Sequence, residues 1–361
     1  MQPCMTTFPP PIDHMPQLAT RLHETKRVVT FSVVTLVVAL VLNLYGETPW
    51  NPVQLMWLVF GAMIGVVEQF FFTGRMARLP VFAQLILRVL VIWLIGVLLL
   101  SLLVLIDWIP PAFRIVGINT VGELWTHPVM FQLSINALII AAAVILFMEM
   151  ERMVGTQMFR RFLLGRYVHP QREDRVVMFI DLADSTTHTE KLGDRRYFEM
   201  LNETFDRMTG PILHSDAELL KYVGDELILT WMARGDARDA RCIELFFAIR
   251  HAIEHDREHY QRTYGMVPLF RAGCHRGVVI TAQIGTIKRS IDMSGDAMNT
   301  CARLAGITKE LRCDLVVSED LLADVGDGTK AYKLGAPTPA GLRGKAEALL
   351  VRTVEEGPGP R

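Results

Sequence analysis

The stretch VVMFID, residues 176–181, consists of five apolar residues that end in a carboxylate. A continuous apolar run of this kind predicts a buried strand with Asp181 at its carboxyl end. Two further apolar runs flank VGDE, residues 223–226. This pattern predicts a hairpin in which Gly224 tolerates the turn and Asp225 is held at the tip. Two carboxylates are therefore expected on rigid backbone.

Paired aspartates of this kind can share hard divalent cations. Mg²⁺ prefers carboxylate oxygen and completes its octahedral shell with water and substrate phosphate. Taken alone, Asp181 and Asp225 fit a turn cap and a hairpin residue as well as they fit a metal site. More residues are needed to decide.

A third segment, SIDMSGDAMNTCARL, covers residues 290–304. Asp292, Asn299 and Arg303 are separated by seven and then four positions. The last two therefore lie on one face of a helix that is expected to start near Gly295. Side chains on one helix face can bind the same ligand.

These three motifs together resemble the class III nucleotidyl cyclases. That family carries an aspartate after the first strand, a Lys…Gly-Asp hairpin and an Asp-x-x-Gly-Asp-x-x-Asn-x-x-x-Arg segment, and the resemblance covers residues 175–354. The pattern of the chain predicts helices on a mixed, mostly antiparallel sheet, an α+β domain with the ferredoxin-like βαββαβ core of that family. Helices are predicted over residues 194–214, 236–264 and 295–307, a hairpin over 218–232, and strands over 270–275, 277–284, 315–318, 332–334 and 349–354.

The resemblance also implies roles for individual residues. Asp181 and Asp225 would hold two Mg²⁺ or Mn²⁺ ions per active site, and Ser185 and Thr186 belong to a segment placed to wrap the phosphates. The catalytic pair would be Asn299, which orients the ribose, and Arg303, which stabilises charge at the α-phosphate.

Lys345 would bind the terminal phosphates, with Arg343 as the alternative. Base choice is assigned to Lys221 and Asp292. A lysine facing N1 and a carboxylate facing N6 select adenine, because guanine presents the opposite donors and acceptors at these positions. By resemblance, Lys and Asp are the adenylate cyclase residues at these two positions, whereas guanylate cyclases typically carry Glu and Cys.

The first half of the chain is apolar, within a sequence that is 51% hydrophobic overall. Four apolar stretches, each about long enough to cross a bilayer, lie near residues 28–45, 53–72, 85–106 and 129–150. We interpret them as a multi-helix transmembrane domain of four α-helices. The alternative is a soluble bundle of buried helices, which should carry polar faces that these stretches lack. Glu68, inside the second stretch, could be a sensing group or an interfacial residue.

Basic residues flank the stretches on one side, which predicts a multi-pass protein of the cell membrane with both termini and the catalytic domain in the cytoplasm. Five cysteines, odd in number and without a C-x-x-C pair, suit a reducing compartment. A net charge of -1 gives no reason to expect a nucleic-acid partner. The predicted domains are a mobile tail at residues 1–27, the transmembrane domain at 28–150, a linker helix at 151–172, the catalytic domain at 173–355 and a disordered tail at 356–361.

The sequence thus predicts a membrane-anchored adenylate cyclase. Its partners would be ATP, the lipid bilayer and a second copy, with the homodimer formed through the catalytic domain, the linker helix and the transmembrane helices. Two alternatives stay open: a guanylate or mixed-specificity cyclase, and a catalytically silent nucleotide-binding signalling module.

Overall fold

The computed structural model describes residues 29, 33, 61–66, 80–105, 120–126, 128–154, 159, 161, 164–287, 289–323, 325–341 and 348–357. They fall in two compact units, one within residues 20–154 and one that contains residues 155–361. The predicted tail at 1–27 and most of the first two apolar stretches, including Glu68, lie outside the described residues.

Among the described residues of the N-terminal unit, the helices with defined bounds are α1 (Val81–Leu105), α2 (Val121–Thr126) and α3 (Pro128–Val154). Ile92 of α1 shares a buried cluster with Ile140 and Ile145 of α3. Beside this cluster Arg88, only 2% exposed, forms an ion pair with Glu149 at 2.6 Å. The two long helices are thus joined by both apolar and ionic contacts.

The predicted four-helix transmembrane domain is a wrong prediction. Taken over the residues that the structure describes, no helix combines the length and apolar character that a membrane crossing requires. Apolar run length does not identify a membrane span here, because part of each run in α1 and α3 packs on the other helix and the same contact contains the Arg88–Glu149 pair. Three further predictions lose their basis with it: the localisation in the cell membrane, the bilayer partner and the dimer contact through transmembrane helices.

The C-terminal unit is an α+β domain. Its helices are α4 (Ser185–Leu192), α5 (Asp194–His214), α6 (Arg241–His255), α7 (Arg257–Tyr264), α8 (Asp296–Leu311) and α9 (Glu319–Leu322). Its strands are β1 (Gln171–Leu182), β2 (Glu218–Val223), β3 (Glu226–Met232), β4 (Phe270–Ile284), β5 (Ser290–Ser294), β6 (Leu315–Ser318), β7 (Tyr332–Leu334), β8 (Thr338–Ala340) and β9 (Leu349–Glu356).

The described strands form one sheet in the order β2-β3-β1-β4-β6-β9-β7, with β5 paired to β4 and β8 paired to β9. β1 runs antiparallel to both β3 and β4, and only β4 and β6 pair in parallel among the described strands. The order β2-β3-β1-β4, with α5 after β1 and α6 after β3, is the predicted ferredoxin-like core.

Both faces of the central strands are buried, because successive side chains of a strand point to opposite faces. On one face Met178 and Ile180 of β1 pack with residues of α5 and α6, such as Met200 and Phe246. On the other face Phe179 packs with residues of α8.

Cysteines contribute to both faces. Cys242, Cys274 and Cys301 are free and fully buried. The Cys301 Sγ lies 3.1 Å from the carbonyl oxygens of Val177 and Gly273, to which it donates, so it bridges α8 to β1 and β4.

Most predicted elements are confirmed, and α5 begins and ends where the sequence predicted. The predicted helix 236–264 is divided into a 3₁₀ turn (Ala237–Ala240), α6 and α7. The strands predicted at 270–275 and 277–284 are one continuous strand, β4. Four of the described α-helices and strands of the C-terminal unit were not predicted: α4, which begins at Ser185, β5, which carries Asp292, and the short elements α9 and β8.

Candidate active site

Asp181 lies in the penultimate position of β1 and is paired in register with Arg271 of β4. Asp225 occupies the turn between β2 and β3, where Gly224 has a φ of 65° that favours glycine. The β1–β3 register pairs Ile180 with Leu227. One step further, the same antiparallel register places Glu226 opposite Asp181. Three carboxylates therefore lie near one another at this end of the sheet, close enough to influence each other's pKa.

The carboxylates repel one another. Burial, followed by the charge of Asp225, raises the pKa of Asp181, against the opposing effects of a backbone hydrogen bond at Leu182 and the Arg271 charge. Burial and then the charges of Asp181 and Asp225 raise the pKa of Glu226 to about 7. A site with this excess of negative charge favours a bound cation.

The donor set fits a hard divalent ion. Carboxylate oxygen is the ligand that Mg²⁺ and Mn²⁺ prefer. Among the described residues no three His, Cys, Asp or Glu side chains converge as a complete cage. Two aspartates would thus fill part of an octahedral shell and leave the other positions to water and a phosphate ligand.

Tyr197, in the first turn of α5, touches this group. Its hydroxyl is hydrogen bonded to Asp225, and burial followed by the Asp225 charge raises the pKa of Tyr197 to about 12. The phenol therefore stays protonated and donates to the carboxylate. Tyr197 is a candidate for orienting Asp225, as outer partners of metal ligands commonly do.

A cavity of about 380 Å³ opens beside Asp181. Its lining includes Ser185 and Thr186 in the first turn of α4, and the side chains of Arg271 and Lys309. Neither cation forms an ion pair with any residue that the structure describes. The cavity therefore combines an acidic end with two cations, a composition that suits a polyphosphate bound with a metal ion.

Lys221 and Asp292 form an ion pair away from that cavity. The Lys221 Nζ lies 2.9 Å and 2.8 Å from the two carboxylate oxygens of Asp292. Asp292 also accepts a hydrogen bond from the backbone N–H of Met293. The side chains are 43% and 28% exposed, so the pair is within reach of a ligand.

Asn299 and Arg303 lie on α8, which begins after Gly295 at a φ of 144°. Asn299 is exposed and Arg303 is half-buried, and Arg303 forms no ion pair within the described part of the chain. The sequence placed them on one helix face, and α8 confirms that both belong to one helix. Neither lines the cavity beside Asp181.

Residues 168–349 match the family described as the adenylate and guanylate cyclase catalytic domain. The chain belongs to the class III nucleotidyl cyclases. The cyclase domain is thus both the region that carries the three sequence motifs and the region that forms the α+β unit.

Two relatives of this cyclase are adenylate cyclase 2 and adenylate cyclase 1 of Rhizobium meliloti (strain 1021). The first is 36% identical over 230 residues, which is 62% of each protein. The second is 28% identical over 189 residues, covering 51% of this chain and 28% of the relative. The chain therefore spans under two thirds of the length of these relatives.

Among solved structures, a bacterial light-regulated adenylyl cyclase superposes with a TM-score of 0.51 at 21% identity. The match covers 65% of this cyclase and 66% of that chain. At this identity the likeness concerns the fold alone.

The structure brings some of the predicted site residues together and separates others. Asp181, Ser185 and Thr186 share the cavity, and Lys221 and Asp292 share an ion pair, whereas Asn299 and Arg303 stay outside the cavity. Lys345 and its alternative Arg343 lie in residues 342–347, outside the described residues.

Sequence reasoning missed four residues of the cyclase site. It gave no role to Arg271, Lys309, Glu226 or Tyr197. The signal for two of them is the strand register, because Arg271 and Glu226 become neighbours of Asp181 only when β4 and β3 are aligned with β1. Lys309 lies six positions after Arg303 on α8, and its proximity to the cavity depends on how that helix packs.

Proposed function

We propose that the chain is an adenylate cyclase that converts ATP to 3′,5′-cyclic AMP and pyrophosphate. The observation that carries this proposal is the Lys221–Asp292 pair at 2.8 Å. A donor and an acceptor fixed side by side match N1 and N6 of adenine and oppose the pattern of guanine. Because the pair is partly exposed, opening it to receive a base costs little free energy.

In the reaction the ribose 3′ oxygen attacks the α-phosphorus. The bond from that phosphorus to the oxygen bridging to the β-phosphate breaks, pyrophosphate leaves, and the 3′ hydroxyl proton passes to solvent. Catalysis of phosphoryl transfer depends mainly on positioning and on neutralising charge. Two Mg²⁺ or Mn²⁺ ions, when bound, would lower the pKa of the 3′ hydroxyl and neutralise the triphosphate.

The chain's own residues do the remaining work. Asp181 and Asp225 hold the metal ions, and Arg271 and Lys309 face the phosphates from the cavity wall. On α8, Asn299 orients the ribose and Arg303 stabilises charge on the α-phosphate, for which a forked, permanently charged guanidinium is suited.

Two copies of the chain would build each site. The cavity beside Asp181 is lined by none of Lys221, Asp292, Asn299 and Arg303, so one chain is expected to supply the metal ligands and its partner the base-reading and transition-state residues. Exposed apolar side chains on the β4–β5 hairpin, Ile280, Ile284 and Ile287, offer a surface for such contact. Two-fold symmetry would make two equivalent sites.

Mixed dimers test this arrangement together with the activity. Asp181→Ala and Arg303→Ala should each be nearly inactive, because every site of either homodimer lacks one essential group. In a dimer with one copy of each, one site is doubly damaged and the other is intact. Random pairing makes half the dimers mixed, so co-expression should recover about a quarter of wild-type activity.

The assay is formation of cyclic nucleotide from ATP or GTP with Mg²⁺ or Mn²⁺. The same assay separates the adenylate cyclase from a guanylate or mixed-specificity enzyme and from a silent nucleotide-binding module. Recovery would exclude a site within one chain. Mutants that co-purify through two different tags without any gain in activity would refute the shared site.

A further inference from the structure

A buried ionic cluster lies at the opposite end of β1 from Asp181. We name it the β1 cluster, and its members are Arg161, Tyr167, Glu173, Arg175, Glu218 and Thr281. Arg175 is fully buried, and Glu173 and Glu218 are 3% and 8% exposed. The proposed reaction uses none of these residues.

Arg175 is the centre of the cluster. Its Nη1 lies 2.7 Å from a Glu218 carboxylate oxygen on β2, and its Nε lies 2.9 Å from Glu173 on β1. Glu173 in turn accepts a 2.9 Å hydrogen bond from Thr281 of β4. Burial acts to raise the pKa of Glu173, but Arg175 and the hydrogen bonds outweigh it, so its pKa is lowered and the carboxylate is charged. The cluster therefore joins β1 to β2 by an ion pair and β1 to β4 by a threonine hydroxyl.

A β-bulge brings this cluster to the same sheet face as Lys221. Glu218 pairs with Thr230, and Lys221 pairs with Ile228. Lys221 follows Glu218 by three positions on β2, whereas Ile228 and Thr230 are only two positions apart on β3. The extra residue lies between Leu219 and Lys221. In a regular strand, residues three apart point to opposite faces, so the bulge is what turns Lys221 to the face of Glu218.

The other member of the ion pair is also close to the cluster. Asp292 pairs in register with Ala282 of β4, which follows Thr281 directly. On the other side of Ala282, the backbone N–H of Gln283 donates to the carbonyl of Tyr167 at 3.0 Å. The cluster thus contacts β2, which carries Lys221, and β4, the strand to which β5 and Asp292 are paired.

Arg161 connects the cluster to the chain segment that precedes the catalytic sheet. It belongs to the segment that precedes the catalytic sheet, and its Nη1 lies 3.0 Å from the Tyr167 hydroxyl and 3.2 Å from a Glu218 oxygen. Its side chain is 18% exposed, far less buried than Arg175. It is therefore the member through which a displacement of that segment would reach β2.

We propose that the β1 cluster is a positioning device for Lys221 and Asp292, and that Arg161 tunes nucleotide selection through it. The inference rests on the proposed function, since it assumes that this pair reads the base. A displaced Arg161 loosens Glu218, and β2 then presents Lys221 less firmly toward Asp292. The cluster acts through the pair and does not touch the substrate.

The test compares Arg161→Ala with Arg276→Ala in the full chain. Arg276 is a matched control because it also forms an ion pair, with Asp174 at 2.9 Å, and its side chain is 19% exposed. It lies on β4 at a register position of the opposite sheet face. Arg161→Lys, which keeps the charge, is the conservative variant.

Arg161→Ala is expected to raise KM for ATP about two- to tenfold and to lower the ATP to GTP preference by a similar factor. The kcat for ATP should change less. Arg161→Lys should restore part of the preference, and Arg276→Ala should leave KM and preference at the wild-type values. A loss of thermal stability without a change in preference, or equal effects of Arg161→Ala and Arg276→Ala, would show a purely structural cluster and overturn the inference.

Amide hydrogen exchange decides the inference independently of activity. In Arg161→Ala the amides of β2 and β5 should exchange faster than in wild type, and in Arg276→Ala they should not. Wild-type protein that forms no cyclic nucleotide would refute the proposed function. The exchange comparison would still measure whether Arg161 is coupled to β2 and β5. Unchanged exchange in both strands would refute the coupling even in an active enzyme.

Discussion

Gly273 offers a sharp test of how α8 is placed on the sheet. A Cβ at this position of β4 would come within 2.8 Å of the backbone carbon and the Cβ of Leu304, and closer still to the backbone nitrogen of Ala305. Ordinary contact begins near 3.4 Å. The substitution Gly273→Ala therefore requires α8 to withdraw from β4 by at least about 0.6 Å, because backbone atoms cannot rotate away.

The expected cost follows from this displacement. Overpacking of a well-packed core typically destabilises by about 1–3 kcal/mol. For a unit of this size each kcal/mol corresponds to a fall in Tm of about 2–4 °C. Arg303 lies on the same helix, and a misplacement on the order of 1 Å can cost about a hundredfold in rate. We expect activity to fall by about ten- to a hundredfold.

The measurements are thermal unfolding and initial rates of cyclic nucleotide formation. Gly306→Ala is the control for stability, because Gly306 is exposed inside α8 and an added Cβ would meet nothing within 4 Å. That variant should be as stable as wild type or slightly more so, since alanine is favoured in a helix by about 0.5–1 kcal/mol. A Gly273→Ala protein with wild-type Tm and rate would refute the close packing of α8 on β4.

Three further predictions concern the site and the β1 cluster. Lys221→Glu combined with Asp292→Cys inverts the donor and acceptor pattern, so ATP turnover should fall and preference should move toward GTP; an unchanged ATP to GTP ratio would mean that these residues do not read the base. Tyr197→Phe removes the hydrogen bond to Asp225 and should raise the metal concentration for half-maximal activity by about ten- to a hundredfold. The measurement is a Mg²⁺ titration at fixed nucleotide, and an unaltered titration curve would contradict the orienting role of Tyr197. Glu173 has a lowered pKa in the folded chain, so its contribution to stability is present above its unfolded pKa and is lost as the pH falls through the folded value. The free energy of unfolding of wild type, measured by urea denaturation, should decrease below about pH 4.3, and Glu173→Gln should show a shallower decrease; equal slopes would refute a charged Glu173 in the cluster.

The catalytic core was predictable from local pattern. The apolar run before Asp181 and the glycine before Asp225 determine a strand and a hairpin, and both exist where the sequence predicted them. The spacing of Asn299 and Arg303 likewise identified a helix. What local pattern does not contain is register, so the approach of Arg271 to Asp181 and the bulge before Lys221 became visible only in the structure.

The first half of the chain shows the opposite case. Run length and apolar composition predict membrane spans, although they do not tell whether a helix buries its residues against lipid or against another helix. Arg88 is the residue that distinguishes the two cases, because a charge inside an apolar run needs a partner, and its partner Glu149 lies 61 positions away in sequence.

The buried thiols give the catalytic unit an internal reporter of its own opening. Burial raises the pKa of both Cys274 and Cys301, so in the closed fold neither sulfur is accessible or nucleophilic. A thiol reagent can therefore label them only during excursions that separate α8 from the sheet or open the opposite core. The labelling rate of Cys301 measures the free energy of separating α8 from the sheet. Added nucleotide and metal should slow this labelling if both bind the closed form. The native chain thus contains, without any engineered probe, a thiol whose labelling rate reports how often the helix that carries Arg303 separates from the sheet.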